Sequence, residues 1–196
     1  MASLEQVKFV TEQYYELHGL RWVLWGVVCM MIALETVGLS STVWTLVVVA
    51  FGFLGFLGIS WYYMRRYGVV VGAKRSFKPS VWSLLAVPAL IAGMLIDKYL
   101  GTRPFVMPLV FAAWFIVQFW MIGRKWRQHY LWIAAAMVIV NLVVGFMHWP
   151  AGSFMLESSF VTWMLAGVGM LVGGLFDHAL IARTLGGKVA EDVGTV

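Results

Sequence analysis

The sequence predicts an all-α integral membrane protein, a polytopic bundle of about six transmembrane helices with both termini in the cytoplasm. Of the 196 residues, 62% are hydrophobic and 12% are charged, whereas soluble domains have roughly 45–50% and about 25%. The apolar residues form continuous blocks, each long enough to cross a hydrocarbon core about 30 Å thick. These blocks lack the strict alternation of barrel strands, so helices are the structures that satisfy the backbone in lipid.

The first segment, residues 1–18, is predicted to be an amphipathic lead-in helix on the cytoplasmic side. Leu4, Val7, Val10, Tyr14 and Leu17 recur at helical spacing, with acidic and basic residues between them. The apolar stripe could lie on lipid headgroups, against another protein or on the loops of the bundle itself. The segment carries three glutamates and no hydrophobic stretch before a small-residue cleavage site, so we do not expect a signal peptide.

The transmembrane bundle is predicted to occupy residues 19–182, and a short cytoplasmic tail follows at 183–196. The six predicted spans are 19–39, 43–64, 81–97, 104–122, 130–148 and 160–182. The connections on the outer side are short, so consecutive spans are expected to pair as three antiparallel hairpins. Pro88 falls midway along the third span and is expected to kink it.

The basic residues predict the orientation of the bundle. Twelve of the fourteen lysines and arginines fall on one side of the predicted spans, and only Lys98 and Arg103 fall on the other. Lysine and arginine beside transmembrane helices are retained in the cytoplasm. We therefore expect both termini to be cytoplasmic, in a plasma membrane or a bacterial inner membrane.

The composition also argues against several classes of function. The net charge is +5, but the basic residues lie beside helix ends rather than in one exposed stripe, so no nucleic-acid partner is expected. The single cysteine, Cys29, excludes an intramolecular disulfide. No sequence signature of an enzyme is present, and the segments outside the membrane are too short for a catalytic domain. We expect no enzymatic activity, no metal and no cofactor.

Glycines predict where helices pack closely. Gly52, Gly55 and Gly58 open one face of the second span, and Gly169 with Gly173 forms a GxxxG motif in the sixth. Such faces let helix backbones approach each other in lipid. Contacts within the bundle are favoured over contacts with a partner.

Glu35 is the most informative ionisable residue, because it is predicted about a turn below the outer interface. It is expected to pair with Lys98 or Arg103; the alternative is a proton or cation site. Asp97 is predicted at the same level. A metal cluster there is geometrically possible, but its ligands would come from separate segments with no diagnostic spacing.

The remaining polar residues are predicted to hold helices together. Gln118 and Asn141 lie inside the fourth and fifth spans, where side-chain amides form interhelical hydrogen bonds. Asp177 and His178 are predicted to end the sixth span near the cytoplasm. There Asp177 could pair with Arg65, Arg66 or an arginine of the fourth connection.

Three functions remain open from the sequence. The favoured one is a small non-enzymatic multi-pass protein that acts as a partner, scaffold or accessory component of a membrane assembly. Its partners would be the lipid bilayer and a membrane protein, or a second copy of the chain in a homo-oligomer. The alternative is a small transporter or channel that works as a homo-oligomer, with Glu35 as its cation or proton site. A membrane-embedded enzyme is the weakest of the three.

Overall fold

The computed structural model describes residues 4–12, 17, 19–67, 81–101, 103–122, 127–147, 149, 153 and 157–193. Within these residues the chain forms seven helices and no strand, so the predicted all-α class is confirmed. The helices are α1 (Leu4–Glu12), α2 (Leu20–Thr36), α3 (Thr42–Tyr67), α4 (Val81–Leu100), α5 (Val106–Ile122), α6 (Gln128–Phe146) and α7 (Ser158–Val193). The six helices after α1 correspond in order to the six predicted spans.

Three helices in the described ranges are long and apolar enough to cross a bilayer. They are α3, α6 and the Ser158–Leu185 part of α7, and α5 adds a shorter apolar stretch, Val106–Trp120. The 26 residues of α3 extend about 39 Å at 1.5 Å per residue, more than the thickness of a hydrocarbon core. Several such helices packed in one bundle indicate an integral, multi-pass membrane protein that contacts lipid.

The helix that corresponds to the sixth predicted span differs from the expectation at its end. α7 continues to Val193, so the boundary predicted at residue 183 is not the end of a helix. Just beyond residue 183, α7 contacts α1, where Gln6 Nε2 donates to Thr184 Oγ1 over 3.2 Å. Asp177 and His178 consequently lie inside α7 rather than at its terminus.

The lead-in helix α1 packs on the bundle itself. Val10 is completely buried, and it forms an apolar cluster with Leu17, Tyr63 and Ile181. This cluster joins α1 to α3 and to the C-terminal half of α7. Of the surfaces that the sequence left open for this segment, the described contacts are with the bundle itself, through α3 and α7.

The centre of the bundle is the antiparallel pair α2 and α7. α3 packs mainly on α2, α6 packs on α5 and α7, and α4 packs on α5. α3 and α4 therefore lie at the edges of the bundle. Their exposed apolar side chains, such as Phe51, Leu54 and Ile91, face outward where lipid is expected.

Two pairs of glycines bring the backbones of α2 and α7 into contact. A Cβ atom at Gly26 would lie 2.6 Å from the carbonyl oxygen of Gly167, and one at Gly174 would lie 2.6 Å from that of Gly19. Both distances are too short for any side chain. Gly19 and Gly26 are seven residues apart in the chain, and so are Gly167 and Gly174. A spacing of seven residues is close to two helical turns, so the two glycines of each segment lie on one face.

The glycines singled out by the sequence have different neighbours. A Cβ at Gly169 would lie 3.1 Å from side-chain atoms of Ile133 and Phe115, and one at Gly173 would lie 3.4 Å from Ile133. The GxxxG motif therefore faces side chains, which corrects the expectation of a backbone crossing there. The neighbouring glycines Gly167 and Gly174 make the crossing instead.

On α3, the three predicted glycines also differ from one another. A Cβ at Gly52 would lie 3.0 Å from Val28, and one at Gly55 would lie 2.9 Å from Leu24. Gly58 has no heavy atom within 4 Å of its hypothetical Cβ. Gly52 and Gly55 therefore leave room for side chains of α2 to pack against α3, and Gly58 faces open space.

Candidate functional site

A buried ion pair joins α6 to α7. Arg127, the residue before α6, and Asp177 in α7 both have completely buried side chains, and Arg127 Nη2 lies 2.7 Å from Asp177 Oδ2. The Tyr130 hydroxyl donates to the same carboxylate oxygen over 2.9 Å and accepts from Arg127 Nη2 over 2.6 Å. The three side chains thus form a closed triangle of charge-assisted hydrogen bonds.

The second oxygen of the Asp177 carboxylate is also engaged. Arg127 Nε donates to Oδ1 over 3.4 Å, and His129 Nε2 lies 3.3 Å from the same atom. The His129 ring stacks on Phe176, with 5.1 Å between ring centroids and 20° between ring planes. Both oxygens of Asp177 therefore face groups of the protein itself. Of the partners that the sequence left open for Asp177, the structure selects an arginine of the fourth connection.

The adjacent residue, His178, is rotated by about 100° around α7 and contacts α3. The Tyr63 hydroxyl lies 2.8 Å from His178 Nδ1 and accepts a hydrogen bond from the Leu20 backbone N–H over 3.0 Å. That N–H belongs to the first turn of α2 and has no acceptor within its own helix. Gly19, at φ 49°, leaves room for the Tyr63 hydroxyl, because a Cβ there would clash with it. Tyr63 therefore ties α2, α3 and α7 together.

At the other end of the bundle, Asp97 caps a helix. Its two carboxylate oxygens accept from the backbone N–H groups of Val106, over 2.6 Å, and Met107, over 2.8 Å. Both N–H groups are in the first turn of α5, where a carboxylate also interacts favourably with the helix dipole. The predicted polar residue at the end of the third span is thus a helix cap that joins α4 to α5.

Asn141 holds the same segment from α6. Its Oδ1 accepts from the Phe105 N–H over 3.2 Å, and its Nδ2 donates to the Phe105 carbonyl over 2.8 Å. Asn141 is completely buried. Its partner lies just before α5, and Asn141 itself is five residues before Phe146, the last residue of α6. It pairs with backbone rather than with another side chain.

Glu35 and Gln118 do not make the contacts expected of them. The ion pairs in the described ranges do not join Glu35 to Lys98 or Arg103. Glu35 is half-buried on α2, and the two basic residues are exposed near the end of α4 and the start of α5. Gln118 Oε1 is buried without a hydrogen-bond partner. The described residues also contain no group of three or more His, Cys, Asp or Glu side chains placed to hold a metal.

The sequence left Arg127 as one of several possible partners of Asp177, and it did not identify Tyr130 or Tyr63 as partners. Arg127 and Tyr130 are three residues apart and so share a face of α6, but nothing in the sequence pairs that face with Asp177. In the sequence, Tyr63 cannot be distinguished from the other aromatic residues that are enriched at membrane interfaces. The recurrence of Gly19 with Gly26 and of Gly167 with Gly174 was the one available signal, since equal spacing in two apolar segments indicates matching faces.

Comparison of the chain with protein-family models, curated proteins and solved structures finds no match.

Proposed function

We propose that this chain is a non-enzymatic multi-pass membrane protein that acts as a partner, scaffold or accessory component of a membrane assembly. The observation that carries the proposal is that three polar side chains of the bundle form contacts between helices or with the segment before a helix. Asp177 forms an ion pair with Arg127, and His178 lies within hydrogen-bond distance of the Tyr63 hydroxyl. Asn141 is hydrogen-bonded to the backbone of Phe105. These contacts hold helices in one arrangement, as expected for a rigid component.

A transporter uses polar groups differently. Its intramembrane residues exchange protein partners for an ion or a substrate, in sites formed by broken helices near the midplane. In the described ranges, α2, α3, α5, α6 and α7 are each a single continuous helix. Several buried side-chain atoms of the described residues have no hydrogen-bond partner, among them Thr45 Oγ1, Gln118 Oε1 and Thr162 Oγ1, and they belong to three different helices, α3, α5 and α7.

The small transporter or channel remains the second candidate because of Glu35. This carboxylate is half-buried on α2, and the described ion pairs do not include it. A carboxylate within a membrane-spanning segment is a candidate proton or cation site. Such a transporter would work as a homo-oligomer, with Glu35 required for transport.

Purification in a mild detergent, followed by mass determination of the complex, distinguishes the two candidates. We expect a different membrane protein to co-purify in fixed stoichiometry, because a rigid component acts through its surface. The Glu35→Gln variant is expected to keep this partner and the same complex mass. The opposite result is a pure homo-oligomer whose sealed vesicles take up protons or cations, with uptake lost in Glu35→Gln. That result would replace the accessory function with the transporter.

The proposed topology has α2 to α7 all crossing the membrane, with both termini in the cytoplasm. The distribution of basic residues in the fold supports it. Arg65, Arg66, Arg127 and Arg183 lie at the end of the bundle that carries α1, whereas Lys98 lies at the opposite end with the cap of α5. Basic residues concentrate on the cytoplasmic side of membrane proteins.

Two cysteines at the ends of one helix test this topology. Ser41 precedes α3, Arg66 lies in its last turn, and both side chains are exposed. In a Cys29→Ala background, Ser41→Cys should react with an impermeant thiol reagent in intact cells, and Arg66→Cys should react only after permeabilisation. Each variant serves as the control for the other. The reverse pattern would invert the orientation, and equal labelling would show that α3 does not span the membrane.

A further inference from the structure

The outward surface of α3 carries a tryptophan near each end. Trp44 is 64% exposed and Trp61 is 54% exposed, and the exposed side chains between them are apolar, among them Leu46, Leu54 and Leu57. Exposed tryptophans of membrane proteins concentrate at the two interfaces between lipid and water. Trp44 and Trp61 are 17 positions apart, which corresponds to about 26 Å along a helix.

Arg65 supports a boundary of the hydrocarbon core at Trp61. α3 continues past Trp61 to Tyr67, and its last turn carries Arg65 and Arg66. The Arg65 guanidinium carbon lies 4.1 Å from the centre of the Trp61 ring. Arginine side chains near the ends of membrane helices place their charge in the interface. The last turn of α3 therefore lies outside the hydrocarbon core.

Glu35 lies at the level of the other tryptophan. α2 and α3 are antiparallel, and Val28 of α2 faces Gly52 of α3. Seven residues further along α2, and seven residues back along α3, the same register brings Glu35 to the level of Thr45, next to Trp44. Glu35 is in the last turn of α2, which ends at the following residue. A carboxylate and an exposed tryptophan thus lie at one level, as expected at an interface.

The lengths of two further helices agree with this distance. α2 and α5 each contain 17 residues, which extend about 26 Å, whereas a hydrocarbon core of about 30 Å takes about 20 residues. The start of α5 is fixed by its cap, because the Asp97 carboxylate accepts from the N–H groups of Val106 and Met107. A tilt of these helices would shorten the thickness that they cross still further.

The buried polar side chains also form two closely spaced levels. Arg127, just before α6, is in the ion pair with Asp177, and Asn141, near the end of α6, is hydrogen-bonded to the backbone of Phe105. They are 14 positions apart, or about 21 Å along the helix. Charged and polar groups are most unfavourable at the centre of a bilayer. The apolar layer between the two levels is therefore thin.

We propose that the surface of this bundle fits a bilayer with a hydrocarbon core of about 25 Å, formed by lipids with short acyl chains. The inference rests on the proposed topology, in which α2 to α7 cross the membrane. It places Glu35 in the headgroup layer, where water solvates the carboxylate. A sterol-rich plasma membrane has a core of about 32–33 Å. Of the two membranes expected from the sequence, such a plasma membrane is therefore the poorer partner.

The preferred chain length is measured by quenching of tryptophan fluorescence in vesicles. The full-length protein is reconstituted with brominated dioleoyl phosphatidylcholine, which quenches, mixed with either dipalmitoleoyl or the longer dieicosenoyl phosphatidylcholine. We expect the shorter lipid to bind the surface of the protein more tightly, by about twofold, because each ångström of mismatch costs free energy. A ratio of the two affinities of one or less would overturn the inference.

Two variants test the tryptophans as boundaries. Trp44→Leu/Trp61→Leu should bring the ratio of affinities closer to one, because α3 loses both side chains that favour the interface; the other tryptophans supply the fluorescence. Leu54→Trp, between them on the same outward surface, is the matched control and should keep the ratio of the wild type. An unchanged ratio in the double variant would overturn the assignment of Trp44 and Trp61. Unfolding curves in detergent verify that both variants are folded.

Thiol labelling of Ser41→Cys and Arg66→Cys separates the inferred thickness from the proposed topology. If the two cysteines react on opposite sides and the longer lipid binds more tightly, α3 crosses the membrane and only the thickness is wrong. If the two cysteines are labelled equally, the topology is wrong and the inferred thickness falls with it. Labelling on opposite sides together with tighter binding of the shorter lipid supports both.

Discussion

Replacement of Gly26 by leucine is expected to destabilise the bundle by about 3 kcal/mol or more, because overpacking of a closely packed contact costs this much at its upper range. Even the first carbon of the new side chain would lie 2.6 Å from the carbonyl oxygen of Gly167 and 2.8 Å from the backbone nitrogen of Leu171. Backbone atoms inside two helices cannot move aside as the end of a flexible side chain can. The axes of α2 and α7 would have to separate along their length.

The loss is measured as the free energy of unfolding in detergent, with tryptophan fluorescence as the signal. Gly167→Leu, on the other side of the crossing, should show a loss of similar size. Gly58→Leu is the matched control, because no heavy atom lies within 4 Å of its hypothetical Cβ. If Gly26→Leu and Gly58→Leu unfold alike, α2 and α7 do not cross at these glycines.

Loss of the Asp177 carboxylate is expected to cost about 3–5 kcal/mol, the usual result when one member of a buried ion pair is removed. In Asp177→Asn, the guanidinium of Arg127 would remain completely buried without its carboxylate. The Tyr130 hydroxyl would lose a charged acceptor at the same time. The contact between the start of α6 and α7 would weaken most.

A double-mutant cycle measures the coupling free energy between Arg127 and Asp177 separately from their contacts with other residues. Arg127→Met alone should also destabilise the protein, and the Arg127→Met/Asp177→Asn variant should lose less than the sum of the two single variants, because no isolated charge remains. Glu157→Gln, which removes an exposed carboxylate, is the control and should change the unfolding free energy by at most about 0.5 kcal/mol. Additive losses in the cycle would show that the two side chains do not depend on each other.

Asn141 illustrates the limit of reasoning from sequence about the candidate sites. Its position in an apolar helix indicates that the amide is hydrogen-bonded inside the protein, because an unsatisfied amide in lipid is unfavourable. Its partner, the backbone of Phe105, is 36 residues away and depends on how α5 and α6 are rotated about their axes. The same holds for Asp177, where the sequence left several arginines possible and packing selected Arg127.

The sequence by itself determined that lipid surrounds this protein, that its backbone forms helices, and where most of those helices lie. These properties depend on the hydrophobicity and length of continuous segments, which are local quantities. Only the tertiary structure decided that Gly26 meets Gly167, that α7 continues to Val193, and that Lys98 shares a cleft with Glu157. Such contacts join residues far apart in the chain, so they follow from the order and rotation of packed helices, which local hydrophobicity does not encode.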